Sequence, residues 1–282
     1  MKPKKVITTI DGKFVSAAGA SISVYDNSLL YGEGLFETYM AIDDRIAFAP
    51  EHFDRLQKGA QLLGLKIPVD RKNLHKWLTK TAAKHPAKIK RLRLTITSGD
   101  SSVWRTKPGR PRVIISAIEH KFDFSPQRLF VPDFRVDGES TFNQIKTIAY
   151  GLRAAALRSS QKNGCEDALL LNNKEQVSEL TSANIFWVER ERIFTPPLSA
   201  GCLEGVTRRI ILQEGQKQNW GIEEKNCKLQ ELAQADEVFS TSSVRLARPV
   251  GEIKSANFNA KLNQGKVWNQ IFAHLCRLLD VS

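Results

Sequence analysis

The chain has 282 residues, 41% of them hydrophobic, which is enough for one large or two compact domains with an extensive core. Its apolar runs fall short of the ~20 residues that span a bilayer, no long apolar segment follows the basic start, and four scattered cysteines lack ligand or redox spacing. The expectation is a cytoplasmic protein with reduced thiols and no metal site. Its net charge of +12 is spread without the aromatic interleaving that stacks on bases, which argues against nucleic acid and for steering small anionic substrates.

Residues 6–10 and 13–15 flank Asp11-Gly12, a pair that favours the positive backbone angles of a tight hairpin. Strands over 36–42 and 45–48 flank Asp43-Asp44 in the same way. Pro50 suits a helix's first turn, and Phe53, Leu56, Ala60 and Leu63 follow at helical spacing up to Gly64. A second helix is expected over 71–83. Residues 91–97 alternate, with Leu92, Leu94 and Ile96 on one face and Arg91, Arg93, Thr95 and Thr97 on the other. A polar loop over 98–111 and a strand over 113–118 lead to a lapse in apolar periodicity near 119–126. That lapse predicts a smaller α+β domain over 1–119 and a larger domain over 120–282.

In the second part, helices are expected over 152–162, closed by Gly164, and over 206–216, just after Gly205. A buried strand is expected over 167–171, a hairpin over 185–188 and 192–194, and a short strand over 238–240. The mixture reads as an α+β fold.

Lys146 precedes Glu179 by 33 residues, and an ordered run of markers follows. It reads Glu179-Leu-Thr-Ser-Ala-Asn184-Ile-Phe186, then Ile193-Phe-Thr195, then Leu203-Glu-Gly205-Val-Thr207-Arg208. In order, spacing and residue type this run resembles the fold-type IV, pyridoxal-phosphate-dependent enzymes, the class-IV aminotransferases and their lyase relatives. The resemblance implies a two-domain, D-amino acid aminotransferase-like fold and a homodimer. It implies that Lys146 bonds the aldehyde of pyridoxal 5'-phosphate and moves the substrate's proton, and that Glu179 holds the ring nitrogen protonated. Phosphate contacts are implied for Gly205, Val206 and Thr207 at a helix start, for Thr241 and Ser242, and for Arg55 in His52-Phe-Asp-Arg55. On a helical wheel Arg55 falls away from the Phe53/Leu56/Ala60/Leu63 stripe. Tyr150 is a candidate for the cofactor's ring oxygen, although the branched-chain members carry that tyrosine where this chain has Gly151.

Within the family, Leu30-Tyr-Gly-Glu-Gly-Leu-Phe-Glu-Thr38, Arg91-Leu-Arg-Leu-Thr-Ile-Thr-Ser-Gly99, Asn184-Ile-Phe-Trp187 and Gly205-Val-Thr-Arg-Arg209 look most like the lyase branch. That branch converts 4-amino-4-deoxychorismate to 4-aminobenzoate and pyruvate, a step in folate biosynthesis. Thr38 matches its active-site threonine. Arg91, Arg93 and Arg105 are candidates for the substrate's carboxylates. The alternatives are an aminotransferase acting on branched-chain or D-amino acids, and a basic, non-catalytic binding protein on the same fold.

Overall fold

Asp11 and Gly12 both take positive φ, 49° and 75°, so the chain reverses in the turn its Asp-Gly pair favours. A Cβ at Gly12 would lie 2.4 Å from the Trp77 indole, so close packing as well as the turn requires glycine here. This hairpin opens the computed structural model of the protein, which describes residues 5–100 and 109–281. Two compact units are present. The first runs to Phe122 and takes in Ile145–Tyr150; the second comprises Asp123–Gln144 and the chain from Gly151 onward.

The first unit contains β1 (Val6–Ile10), β2 (Lys13–Val15), α1 (Asn27–Tyr31), β3 (Gly34–Ile42), β4 (Arg45–Ile46), α2 (Ala49–Leu63), α3 (Arg71–Lys84), β5 (Ile89–Thr97) and β6 (Val113–Glu119). Its strands form an antiparallel sheet in the order β2-β1-β6-β5-β3-β4. Alternation sends Leu35, Tyr39, Leu92, Leu94, Ile96 and Ile115 to the face that packs with Leu56, Leu74 and Leu78 of α2 and α3. Each such side chain, once buried, contributes about 1.5–3 kcal/mol. The register pairs Phe36 with Thr95, Thr38 with Arg93 and Met40 with Arg91, so these residues share the opposite face.

The second unit contains β7 (Gln127–Phe130), β8 (Arg135–Val136), α4 (Gly151–Lys162), β9 (Asp167–Asn172), β10 (Val177–Leu180), β11 (Asn184–Glu189) and β12 (Arg192–Thr195). It continues with α5 (Val206–Lys217), β13 (Ile222–Glu224), α6 (Leu229–Leu232), β14 (Glu237–Ser242), β15 (Leu246–Ser255), β16 (Phe258–Lys261) and α7 (Val267–Leu278). The main path of its sheet is β10-β9-β7-β15-β14-β11-β12-β13, with β16 on β15 and β8 on β9. Leu129, Leu169, Val177, Ile185, Trp187, Val238 and Val250 form its principal core. Thr195 donates its hydroxyl to the Ile185 carbonyl at 2.8 Å, which ties β12 to β11 and accounts for the threonine in Ile193-Phe-Thr195.

Two expectations change. The division falls after Phe122, not at 119, and the segment bearing Lys146 packs with the first unit although it was expected in the C-terminal domain. Ile145 is buried in the core of the first unit, Leu35 bridges to Thr147, and the Phe36 N–H donates to the Lys146 carbonyl at 3.0 Å. An isolated bridge and the flanking backbone hydrogen bonds Phe36–Lys146 and Ile148–Gly34 thus tie this segment to the start of β3. Among the described residues, no helix is long and apolar enough to cross a membrane.

Candidate active site

In the first unit the candidate residues gather around the Phe36 ring. The Lys146 Nζ stands 4.5 Å from the ring centroid, and the Arg93 guanidinium carbon stands 3.9 Å from it. The Tyr150 ring meets Phe36 edge-on, with centroids 5.4 Å apart. Phe36 is buried and Lys146 half-buried, while Arg93 is exposed. Thr38, half-buried, is the cross-strand partner of Arg93 on the same face. One sheet face therefore carries an amine, a guanidinium, a phenol and a hydroxyl, all placed by β3, β5 and the 145–150 segment. Arg91 shares that face two residues before Arg93 on β5, opposite Met40. Arg105 lies outside the described residues.

Arg55 does not lie away from the buried stripe of α2, as the helical wheel suggested, but within it. The buried stripe of α2 is His52, Arg55, Leu56, Gly59 and Ala60, and Phe53 and Leu63 are only partly buried. The reason is Glu37, which β3 points at α2 and which is 0% exposed. Its Oε1 accepts from the Arg55 Nε at 2.8 Å, and its Oε2 accepts from the Arg55 Nη2 at 2.6 Å and from the His52 Nδ1 at 2.7 Å. Burial alone would raise the Glu37 pKa, but the Arg55 and His52 partners outweigh it and hold the carboxyl at about 2. Burial lowers the His52 pKa against the pull of Glu37, so the ring is neutral and its Nδ1 carries the donated proton.

In the second unit Glu179 lies on β10, is 4% exposed, and accepts from the Arg153 Nη2 at 2.6 Å. Burial, and then the Glu179 charge, push the neighbouring Cys202 thiol up to about 12, so that thiol is inert. At the start of α5, Gly205 brings no side-chain cap, and a Cβ there would fall 1.9 Å from the Asn184 Oδ1. Asn184 in turn donates its Nδ2–H to the Leu203 carbonyl at 2.9 Å and is the cross-strand neighbour of Thr241. Asn184 thus fixes the turn that leads into α5. Arg208 donates to the Pro196 carbonyl at 2.8 Å and pairs with Glu224, so the basic residue that closes the motif holds α5 to its surroundings.

The Thr207 and Thr241 hydroxyls are buried and have no hydrogen-bond partner among the described residues. Two orphaned hydroxyls beside an uncapped helix N-terminus suit an anion with several acceptor oxygens. The donor set fits the phosphate of pyridoxal 5'-phosphate. Val206, the first residue of α5, is buried there; Ser242, half-buried, accepts from the Arg245 N–H at 3.3 Å. Sequence reasoning missed Phe36, Glu37, His52, Arg153 and Asn184 as site residues. The i,i+3 spacing of His52 and Arg55 was the one available signal, since it places both on one side of a helix.

The model of the amino-transferase class IV family matches residues 34–253. A provisionally named branched-chain-amino-acid aminotransferase of Methanocaldococcus jannaschii is 29% identical over 257 residues, covering 89% of each chain. The aminodeoxychorismate lyase of Bacillus subtilis is 25% identical over 259 residues, covering 89% of this chain and 88% of the relative. The crystal structure of a branched-chain aminotransferase from Thermoproteus uzoniensis with norvaline superposes with a TM-score of 0.88 at 26% identity, over 97% of this chain and 94% of that one. With the family model spanning most of its length on a fold-type IV architecture, the chain belongs to the class IV aminotransferase family, whose members are enzymes that work with pyridoxal 5'-phosphate.

Proposed function

We propose that the protein is an aminodeoxychorismate lyase, converting 4-amino-4-deoxychorismate to 4-aminobenzoate and pyruvate. The observation that carries this reading is the chemistry beside Lys146: Thr38, Thr95 and the Arg93 guanidinium share the sheet face of Phe36, against which the Lys146 amine stands. A substrate with two carboxylates calls for a guanidinium, and Arg93 supplies one beside the amine. Similarity to the Bacillus subtilis lyase supports the same reading.

When bound, pyridoxal 5'-phosphate supplies an aldehyde for the substrate's amine and a cationic ring that accepts an electron pair. Lys146 would hold the aldehyde until the substrate's amine replaces it and would take it back as 4-aminobenzoate leaves; in between, as a neutral amine, it takes the proton from the amine-bearing carbon. The bond from the neighbouring ring carbon to the enolpyruvyl oxygen breaks, the oxygen keeps the electron pair, and the ring becomes aromatic. Lys146 then returns a proton to the departing enolpyruvate, which becomes pyruvate. Glu179 would keep the cofactor's ring nitrogen protonated, with Arg153 fixing the carboxylate. Thr207, Thr241, Ser242 and the Gly205-Val206 backbone would hold the phosphate, and Arg55 would contribute its guanidinium. Tyr150 and Thr38 orient the groups around the amine, and Arg93 receives a substrate carboxylate. A second copy of the chain covers Val24, Tyr25, Leu29 and Leu30, apolar side chains 49–64% exposed, which gives a homodimer.

Branched-chain transamination is the second reading, favoured by the Methanocaldococcus and Thermoproteus similarities. One pair of assays separates the two. The lyase reading expects 4-aminobenzoate from 4-amino-4-deoxychorismate without an added oxo acid. Formation of glutamate from 2-oxoglutarate and a branched-chain amino acid, with no 4-aminobenzoate, would replace it with the transferase.

A further inference from the structure

We propose that Glu37 and His52 are positioning residues that lock the Arg55 guanidinium in one orientation for the cofactor's phosphate. This inference rests on the reading that Arg55 reaches that phosphate. An arginine side chain is long and rotamer-rich, so an anion site that depends on one must either order it on binding or hold it ready beforehand. Here it is held ready. The Glu37 carboxylate engages Nε and Nη2 together, which fixes the plane of the guanidinium as well as its position.

The carboxylate is itself fixed. Glu37 sits within β3, which is paired with β5 along its whole length, and its Oε2 is also held by the His52 Nδ1–H. The Tyr39 ring packs on His52 with centroids 4.5 Å apart, so the imidazole is wedged between Glu37 and an aromatic wall. His52 and Arg55 stand three residues apart on α2 and reach the same carboxylate from one helix face. The cluster is buried throughout, with Glu37 and His52 0% exposed and Arg55 8%.

Stability alone does not explain such a cluster. A buried ion pair gives little net stabilisation over well-packed apolar residues of the same size. Bare neutralisation of Arg55 would require one carboxylate and no histidine. The extra donor and the bidentate geometry serve orientation. Glu37 also lies between Phe36 and Thr38, whose side chains leave β3 on the opposite face, where Lys146 and Arg93 gather. One rigid strand therefore sets both the guanidinium and the lysine-bearing face.

The test compares two probes on apoprotein, pyridoxal 5'-phosphate and the phosphate-free pyridoxal, with affinities read by absorbance titration. Glu37→Gln is expected to weaken the phosphorylated probe about tenfold while pyridoxal stays within about twofold. His52→Leu is expected to give a smaller loss of the same kind, and His52→Asn, which retains a donor near Nδ1, to restore it. A merely structural role would weaken both probes equally. The double variant Glu37→Gln/Arg55→Met removes both charges and tests the underlying assignment. If the double variant loses phosphate preference and Glu37→Gln does not, the positioning role is wrong and Arg55 keeps its phosphate. If the double variant keeps the wild-type preference, Arg55 is not a phosphate ligand and both statements fall. Should Glu37→Gln not fold, the two His52 variants decide by the same ratio.

Discussion

Both units bury polar side chains beside candidate site residues, but in opposite states of satisfaction. In the first, the Glu37 carboxylate receives three donors and is satisfied without any ligand, although the His52 Nε2 is buried with no partner among the described residues. In the second, the Thr207 and Thr241 hydroxyls lie buried next to the uncapped start of α5 with no partner among the described residues. A satisfied cluster contributes to the stability of the apoprotein and presets geometry. An unsatisfied one stores a desolvation cost that a ligand removes. The contrast predicts that mutations in the Glu37–His52–Arg55 cluster cost apoprotein stability as well as phosphate affinity, whereas loss of an orphaned hydroxyl beside α5 costs cofactor affinity with little change in stability.

The largest effect is expected at the satisfied cluster. Arg55→Met leaves Glu37 buried with only a neutral histidine, and should destabilise the apoprotein by about 3–5 kcal/mol in chemical denaturation. Adding Glu37→Gln should recover most of that loss, since neither variant side chain is charged. A double variant as unstable as the single one would mean that the cluster does not work as an ion pair.

Acid titration comes next. Both folded pKa values are depressed, Glu37 from 4.5 to about 2 and His52 below 6.5, so both contributions are complete at neutral pH. His52 favours the unfolded chain as pH drops below 6.5, because only there does it take up a proton readily. Glu37 adds a loss between pH 4.5 and about 2, worth about 3 kcal/mol once complete. Stability measured against pH should lose this second step in the Glu37→Gln/Arg55→Met variant and keep it in Thr207→Val.

Around α5, Gly205→Ala pushes a methyl group into Asn184 and should cost about 1–3 kcal/mol, together with a loss of cofactor affinity. The smallest effect on stability is predicted for Thr207→Val. Its hydroxyl has no partner to lose, so the apoprotein should stay within about 0.5 kcal/mol of wild type. Affinity for pyridoxal 5'-phosphate should nevertheless fall about tenfold. A clear loss of apoprotein stability in Thr207→Val would remove the contrast between the two units.

Legibility from sequence follows how local each cause is. The Asp11-Gly12 turn, the alternation of 91–97 and the helix that starts after Gly205 rest on neighbours in the chain, and all three are present in the structure. The strand Leu246–Ser255 was not anticipated, since Arg248 and Pro249 interrupt its apolar pattern and pairing to β14, β7 and β16 makes it a strand. Helix α7 was missed although Ile271 and Leu275 stand at helical spacing. The buried place of Arg55 depends on a carboxylate 18 residues away, as does the Arg153 partner of Glu179 over 26 residues. Pairings of that kind follow from tertiary placement, and helical periodicity alone put Arg55 on the wrong side.

The central claim is that the Lys146 amine bonds the cofactor's aldehyde. Borohydride reduction of the holoenzyme, followed by peptide mapping, tests it directly. The account predicts a single pyridoxyl-modified lysine, Lys146, and no fixed label in Lys146→Ala. Label fixed on a different lysine of the wild-type chain would contradict it.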